Sequence, residues 1–504
     1  MKNDSVIVVG GGIAGLTAAS LLAHEGLDVT LLESHTQLGG CAGTFKRGPY
    51  HFDVGATQVA GLELGGIHER IFRYLKYPAP KGEVLNPACV VDLGDGLDPI
   101  KMWHDPAKWE TECKKQFPGS EKFWTLCSVI HASNWKFLSR NPVLPIKNFW
   151  DLRELARAIR PINLLSGFLS KSSIADLLWL CDCHQDQRLQ RFLDLQLKLY
   201  SQKPAHLTAA LYGSTVLQMA QAPLGLWHLK GSMQVISDHL KLSFIRDGGK
   251  LFLRHKVVSL LKDQALPNSW IVNVLDQKAS LVDMHSSDIV FSLPPQSLLE
   301  LMSKDSGLPI NYRRRLRQLP KPSGALVFYG AIDRNALPLN CPGHLQFSYK
   351  DLDSLFISIS SEGDGRAPVG RATVIASLFT DIDLWSSLDE SNYQKKKQLF
   401  FTNILKALHS FLCIAPEEWL HKELATPRSF AKWTGRPKGM VGGLGQTPSS
   451  FGPYGLPSRT PANGLWLCGD SIYPGEGTAG VSQSALMACR QLMATRGRQL
   501  SLDR

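Results

Sequence analysis

The feature that most constrains this chain is a glycine-rich turn between a short apolar run and a helix near its N-terminus. Val6–Val9 has the β-branched pattern of a buried strand. Gly10, Gly12 and Gly15 follow with the spacing G-x-G-x-x-G. In this spacing the first glycine permits a tight turn, the second lets a pyrophosphate approach the backbone, and the third lets the helix pack against the strand. The helix begins at Ile13, and its free N–H groups and dipole favour phosphate.

An acidic residue completes this unit. Val29–Leu32 is predicted as a second strand, and Glu33 follows it directly. A carboxylate at that strand end accepts hydrogen bonds from ribose hydroxyls and repels a 2′-phosphate, which argues against NADP. Because strand, glycines, helix, second strand and acid occur in order within ~30 residues, a βαβ unit without a ligand is disfavoured. The motif predicts a dinucleotide site and leaves NAD and FAD both open.

A second strand end with cofactor-binding chemistry lies near the C-terminus. Leu465–Cys468 is predicted as a strand, and Gly469 and Asp470 follow it. The carboxylate of Asp470 is suited to bind a sugar-alcohol hydroxyl. A glycine-rich turn then leads into a helix that is expected to begin near Val481. The backbone N–H groups of Gly480 and Val481 are expected to point at the edge of a flavin ring, which favours FAD over NAD.

Composition limits the possible partners. With 504 residues, 44% apolar and 20% charged, the chain is long enough for two or three folded units. The formal net charge of +11 suits acidic partners. Zinc-finger spacing, RNA-binding aromatic signatures and dense basic tracts are absent, so we expect no nucleic acid and instead a membrane surface. The 10 cysteines form no C-x-x-C pair, which indicates reduced thiols and no metal site.

The sequence shows neither a targeting segment nor a transmembrane helix, so a peripheral position at the cytoplasmic side of a membrane is expected. Pro204–Leu229 is the longest uncharged window, and it is interpreted as cavity lining or core. Pro142–Leu180 combines leucines and aromatic residues with arginines, with Asn148 as a helix cap. Two interpretations of this segment stay open: an interfacial segment, or a helix packed on the core with a solvated basic face. The apolar face is expected to contain Leu152, Leu155, Ala156 and Ile159.

An alternating pattern of helices and strands returns after Gly225. Strands are predicted around Leu251 and Val257, over Ser269–Asp276 and over Ser287–Pro295. Three further strands and a helix are predicted later in the chain: Ala325–Tyr329, Leu355–Ile359, Ala372–Leu378 and the helix Ser391–Leu412. These patterns predict a discontinuous cofactor-binding domain over residues 1–75, 225–300 and 429–504. Residues 76–224 and 301–428 are assigned to a substrate and membrane-contact domain.

Together the two ends of the chain resemble FAD-dependent flavoproteins of the amine-oxidase-like and carotenoid-desaturase-like type. Three blocks, His51–Phe72, Lys432–Pro448 and Gly464–Leu486, are similar to cyanobacterial carotenoid C-3′,4′ desaturases, which are close to the prolycopene isomerases. The resemblance implies a Rossmann-like, three-layer α/β FAD-binding domain with an interleaved α+β substrate domain and a helical membrane-contact region. Amine oxidases usually have an arginine after the paired glycines, where this chain has Cys41, so the carotenoid branch is favoured.

The resemblance also implies roles for individual residues. The N-terminal unit would hold the ADP half of FAD, the strand end at Gly469 the ribityl chain, and Val257 the adenine. The expected cofactor-binding residues are Gly10, Gly12, Ile13, Ala14, Gly15, Glu33, Ser34, Gly39, Gly40, Val257, Gly469, Asp470, Gly480 and Val481. No catalytic residue is assigned. His51, His228 and Glu476 lie in or near these blocks and are interpreted as structural.

The function implied by the resemblance is FAD-dependent desaturation of a carotenoid end group. The expected substrate is a hydroxylated γ-carotene- or lycopene-type polyene in carotenoid and myxoxanthophyll biosynthesis, taken from a thylakoid or plasma membrane. Flavin N5 would accept the hydride, with a quinone or oxygen as terminal acceptor. The alternative is a carotenoid cis–trans isomerase that uses reduced FAD. A lipid carrier of the same fold without flavin and a soluble amine oxidase are weaker rivals.

Overall fold

The computed structural model describes residues 4–266, 269–303 and 307–503, apart from the side chains of residues 164, 165 and 351. Its strands, in chain order, are β1 (Ser5–Val9), β2 (Asp28–Glu33), β3 (Thr44–Arg47), β4 (Tyr50–Asp53), β5 (Gly82–Val84), β6 (Val90–Asp92), β7 (Ile100–Lys101), β8 (Trp227–Leu229), β9 (Lys250–Leu253), β10 (Lys256–Lys262), β11 (Trp270–Leu275), β12 (Leu281–Ser286), β13 (Asp288–Phe291), β14 (Gly324–Asp333), β15 (His344–Phe347), β16 (Leu355–Ile359), β17 (Arg371–Thr380), β18 (Trp419–Ala425) and β19 (Leu465–Leu467).

The α-helices are α1 (Ile13–His24), α2 (Ile67–Tyr74), α3 (Pro106–Gln116), α4 (Glu121–Leu138), α5 (Phe149–Ala158), α6 (Pro161–Phe168), α7 (Ile174–Leu180), α8 (Gln187–Ser201), α9 (Ala210–Gln218), α10 (Gln234–Arg246), α11 (Leu298–Leu301), α12 (Ile310–Arg317), α13 (Asp383–Ser386), α14 (Glu390–Leu412), α15 (Pro427–Thr434) and α16 (Thr478–Thr495). Within the described ranges none of these helices is both long enough and apolar enough to cross a bilayer.

A three-layer unit contains the N-terminal βαβ motif. Its central sheet is parallel, with the order β19-β13-β1-β2-β9. Successive residues of β1 face opposite sides. Val6 and Val8 pack against the helical layer that contains α1, α10 and α16, whereas Ile7 and Val9 pack with the antiparallel sheet β10-β11-β12. The chain therefore has the predicted Rossmann-like α/β fold, and its β-branched strand is buried on both faces.

The second sheet lies in the part of the chain assigned to substrate binding. It has seven strands in the order β18-β14-β17-β16-β15-β6-β7. Residues Leu326 and Phe328 of β14 pack with α14 in one core, and their neighbours Ala325 and Val327 face the opposite side. The strands predicted within β14, β16 and β17 are found, as is the long helix α14. The proposed division into residues 1–75, 225–300 and 429–504 against 76–224 and 301–428 stays a prediction.

Helix α5 differs from its prediction in which face is buried. Its cap is as expected, because the Asn148 side chain accepts a hydrogen bond from the Asp151 N–H at 2.9 Å. Its buried positions, however, include Asp151 and Glu154, while Leu152 is 48% exposed. Of the predicted apolar positions, Leu155 packs against the core, whereas Leu152 and Ile159 are exposed. The physical reason for the buried acidic residues is ion pairing with arginines from later in the chain. Asp151 pairs with Arg459 at 3.1 Å, and Glu154 pairs with Arg490 at 2.6 Å. The choice between an interfacial segment and a core-packed helix stays a prediction.

Candidate functional site

The first glycine loop has the geometry that its spacing predicts. Gly10 has φ of +99°, which side chains rarely adopt. A Cβ atom on Gly15 would lie 1.9 Å from the Gly10 carbonyl oxygen, so only glycine allows α1 to pack this closely. A Cβ on Gly12 would meet no described protein atom within 4 Å. Gly12 therefore borders open space at the start of α1, where a ligand can approach the backbone.

Glu33 is fixed at the end of β2 by backbone donors. The Gly11 N–H donates to Glu33 Oε2 at 2.7 Å, and the His35 N–H donates to Oε1 at 2.7 Å. These bonds orient the carboxylate toward the glycine loop and leave lone pairs on both oxygens for further donors. The His255 N–H donates to the Glu33 carbonyl at 2.8 Å, which brings the start of β10 to the same strand end.

A second glycine pair lies directly against the first loop. The Gly39 N–H donates to the Gly11 carbonyl at 2.9 Å, and a Cβ on Gly40 would lie 3.5 Å from the Gly12 Cα. Burial raises the pKa of the adjacent Cys41 thiol, so Cys41 is neutral at physiological pH. The two loops together form a narrow cradle with exposed backbone at Gly12.

The C-terminal contact is close to its prediction but differs in one donor. Helix α16 begins at Thr478, three residues earlier than the expected start at Val481. The Val481 N–H donates to the Gly477 carbonyl at 3.0 Å, so it is used inside the helix and does not point at a ligand. This bond places Thr478, Ala479 and Gly480 in the first turn, which carries the helix's free N–H groups. Asp470 forms an ion pair of 2.9 Å with Arg436.

A single cavity of about 710 Å³ joins most of the predicted residues. Its lining includes Gly10, Gly12, Ile13, Ala14, Glu33, Gly39, Gly40, Gly469, Asp470, Gly480 and Val481. Three predicted residues lie outside the lining. Gly15 packs against Gly10, Ser34 Oγ donates to Glu33 Oε1 at 3.3 Å, and the Val257 side chain is buried in the core between the two sheets of the three-layer unit.

The same cavity extends from the glycine cradle into an apolar region. Its wall includes side chains of α4, α5, α9 and the seven-stranded sheet, among them Leu138, Leu155, Tyr212, Val216, Met219, Phe356 and Leu378. The Pro204–Leu229 window, interpreted from sequence as cavity lining or core, contributes α9 to this wall. A polar cradle therefore opens directly into space suited to an apolar ligand, the arrangement typical of cofactor and substrate in one pocket.

Glu476 lies in this cavity, although sequence reasoning treated it as structural. Its Oε2 accepts a hydrogen bond from Gln202 Nε2 at 2.8 Å. Within the described part of the chain, the buried Oε1 has no hydrogen-bond partner. Burial raises the pKa of Glu476 to about 7, and nearby Asp470 acts in the same direction. Near neutral pH this carboxyl therefore exchanges a proton readily.

The end of strand β4, inside the block His51–Phe72, stabilises the fold. Asp53 is buried and accepts hydrogen bonds from Thr44 Oγ1 at 2.7 Å and the Met233 N–H at 2.9 Å. Arg366 forms an ion pair with Asp53 at 3.0 Å and with Asp364 at 3.1 Å. His228 joins this network through Asp364, at 2.8 Å, so the interpretation of His228 as structural agrees with its contacts.

Two comparisons with known proteins concern the fold. A model of the NAD(P)-binding Rossmann-like domain matches residues 8–77. The solved structure of wild-type putrescine oxidase bound to putrescine superimposes with a TM-score of 0.63, at 17% identity, over 98% of this chain and 99% of that one. At this identity the likeness shows a shared fold and nothing about activity.

Two curated relatives are similar to this chain over most of its length. Chloroplastic prolycopene isomerase of Daucus carota is 25% identical, over 98% of this chain and 81% of its own length. All-trans-retinol 13,14-reductase of Danio rerio is 23% identical, over 92% of this chain and 82% of its own length. The prediction that the chain is an enzyme of the flavoprotein oxidoreductase type is confirmed, and a flavin-type cofactor is supported.

Proposed function

We propose that this chain is an FAD-dependent carotenoid desaturase that acts on the 3′,4′ position of an end group. The observation that carries the proposal is the continuity of one cavity, from the glycine cradle at Gly12, past Glu476, to the apolar wall at Tyr212 and Phe356. Prolycopene isomerase and retinol reductase, to which the chain is similar, are named for polyene substrates. An extended apolar substrate fits this wall better than a small amine.

The residues of the cradle fit a flavin dinucleotide. Gly12 and the N-terminus of α1 offer backbone N–H groups to a diphosphate, while Glu33 offers carboxylate oxygens to ribose hydroxyls. Asp470 and the first turn of α16 line the same cavity farther along. When bound, FAD would supply a two-electron acceptor for the hydride, and a quinone or oxygen would reoxidise it.

The protein's own contribution to desaturation is alignment and proton removal. The apolar wall would hold the polyene chain in one orientation, a proximity effect worth up to about 7–11 kcal/mol. Desaturation also releases a proton from the carbon next to the one that loses hydride. Glu476 is the carboxyl suited to accept this proton, since it lines the cavity and burial raises its pKa to about 7.

The cis–trans isomerase alternative rests on the similarity to prolycopene isomerase. It would use the same cradle with FAD in the reduced form and would need no net proton removal. The proposed desaturase and the isomerase therefore differ in the mass of the product, which makes them separable in one experiment.

The direct test is expression in a bacterium that makes lycopene, γ-carotene or their 1′-hydroxy forms. Under the proposal the product is two hydrogens lighter than the substrate, whereas a product of unchanged mass with altered absorption fine structure supports the isomerase. The Gly12→Asp variant, which places a carboxylate in the cradle, is the control and should give neither product. Purified wild-type protein is expected to release FAD on denaturation; a colourless preparation that cannot be reconstituted contradicts both functions.

We further infer that the segment around α5 and α6 contacts a membrane surface. Phe149 is 80% exposed and Phe168 is 85% exposed, although both lie in ordered helices. The exposed arginines Arg153, Arg157 and Arg160 lie between them. Exposed aromatic side chains with interspersed arginines are typical of interfacial helices. Ile159, Asn163 and Gly167 of this segment also line the cavity, so the proposed contact would place lipid next to its wall.

Flotation with anionic liposomes tests this contact. Wild-type protein is expected to float, and Phe149→Asp with Phe168→Asp is expected to lower the partition coefficient roughly 10- to 100-fold, because two aromatic side chains no longer enter the bilayer. The matched control is Leu339→Asp with Val369→Asp, since both of these apolar side chains are also exposed but lie elsewhere. Equal flotation of the two double variants would contradict the assigned surface.

A further inference from the structure

Arg436 holds a position in the cradle that the proposed function has not used. Its Nε donates to the Met440 carbonyl at 2.9 Å, and its Nη2 donates to the Gly442 carbonyl at 2.5 Å and pairs with Asp470 at 2.9 Å. These bonds fix the guanidinium on the cavity wall, where its side chain is 15% exposed. In the described part of the chain, no acceptor is assigned to Nη1, whose two N–H groups remain for a ligand.

The charges around the cavity give this arginine a specific role. Arg70, Lys198 and Arg436 are the cationic side chains of the described lining, against the carboxylates Glu33, Asp353, Asp470 and Glu476. Arg70 is directed at Asp503 and Asn141, and Lys198 pairs with Asp353 at 2.7 Å. A diphosphate that enters a cradle lined by carboxylates needs a cation beside it, because a buried charge without a partner is unfavourable.

Arg436 also lies on the side of the cradle where Gly40 meets Gly12. The guanidinium interacts with Asp470, and it is near enough to Cys41 to oppose the rise in the pKa of that thiol. Cys41 follows Gly40, which lies against Gly12 at the start of α1. Burial opposes the charged form of Arg436, but the carboxylate of Asp470 raises its pKa above the ordinary value, so the guanidinium stays charged. Because the Cys41 thiol is neutral and small, Arg436 is the side chain at this position that can pair with a negatively charged ligand.

We propose that Arg436 is the side chain that binds the diphosphate of the dinucleotide, with Nη1 donating to a phosphate oxygen while Nη2 keeps Asp470 in place. This assignment rests on the proposed flavin function, and it names a cation that the glycine motif alone does not supply. Arginine suits this task, since its planar group can hold a carboxylate and a phosphate at the same time.

Binding of ADP, FAD and riboflavin to the apoprotein tests the assignment. ADP contains the diphosphate without the flavin, and riboflavin contains the flavin without phosphate. Arg436→Gln is expected to weaken the binding of both ADP and FAD roughly 10- to 100-fold, because a charge-assisted hydrogen bond is lost. The affinity for riboflavin is expected to stay unchanged. Arg436→Lys is expected to recover part of the ADP affinity, because it keeps the charge. Arg334→Gln, away from the cavity, is the control.

Each outcome decides one point. Equal ADP affinity of wild type and Arg436→Gln overturns the role of Arg436 and leaves the flavin function intact. Equal weakening of riboflavin and ADP also overturns it, since that pattern indicates a structural role through Met440 and Gly442. Wild-type protein that binds neither ADP nor FAD overturns the proposed function together with this inference. If Arg436→Gln does not fold, the test passes to Arg436→Lys. The assignment then requires that this variant binds ADP more weakly than the wild type and loses less affinity for riboflavin than for ADP.

Discussion

Replacing Asp53 with asparagine is expected to lower the free energy of unfolding by about 3–5 kcal/mol, the cost of removing one partner from a buried ion pair. The Asp53 side chain is 1% exposed and that of Arg366 is 3% exposed. The substitution leaves the guanidinium with one carboxylate, Asp364, in place of two. It also places an amide N–H₂ among the donors that the Asp53 carboxylate accepts, from Thr44 and Met233.

Urea denaturation of the apoprotein, followed by tryptophan fluorescence, measures this effect without stabilisation by bound cofactor. The matched control is Asp98→Asn. Asp98 also pairs with a basic residue, at 2.7 Å to Lys115, but both side chains are largely exposed. We expect its denaturation midpoint to equal that of the wild type, since exposed ion pairs contribute little. If Asp53→Asn denatures at the same urea concentration as Asp98→Asn, the network does not stabilise the fold as inferred.

The role of Asp53 could not be predicted from local sequence patterns, because its partner is distant in the sequence. Asp53 ends β4, whose hairpin with β3 is formed by residues that are close in sequence. The partner Arg366 lies far along the chain, in a loop without a recognisable pattern. By contrast, the unit from Val6 to Glu33 was predictable because its strands, glycines and acid are neighbours in sequence.

The burial of acidic residues in α5 was not predictable from the sequence for the same reason. Hydrophobic periodicity assumes that leucines face the core and charges face water. In α5 the buried carboxylates of Asp151 and Glu154 form ion pairs with Arg459 and Arg490. No local sequence pattern connects these arginines to α5. Strands β12 and β18 escaped prediction for a related reason: β12 is largely exposed, and neither strand has clean apolar alternation. Arg436 lies inside the similar block Lys432–Pro448, but only the tertiary structure brings it to Asp470.

Glu476→Gln is expected to lower the rate of product formation by roughly 10²–10⁴-fold, the usual contribution of a positioned general base. The carboxylate, and not the protonated acid, accepts the proton. Burial raises the pKa of Glu476 to about 7, so the wild-type rate is expected to rise with pH through about 7. The variant has no titrating group at this position and is expected to show a flat profile over the same range. FAD affinity, measured in parallel, should not change.

Gln202 provides a second, independent test of the same carboxyl. Its hydrogen bond to Glu476 Oε2 favours the ionised form, so Gln202→Leu should raise the pKa of Glu476 and move the rise in rate to higher pH. The other groups that act on Glu476 remain in this variant: the charges of Asp470 and Arg436, and the backbone N–H groups of Gly443 and Gly445. Leucine has nearly the volume of glutamine, but the substitution also removes the Oε1 that accepts from the Ser323 N–H at 2.8 Å, so the fold of the variant is checked alongside its pH profile. Wild-type rates and an unchanged pH profile in Glu476→Gln would instead show that this carboxyl only supports the adjacent loop at Gly442, where an added Cβ would lie 2.7 Å from Glu476 Oε2.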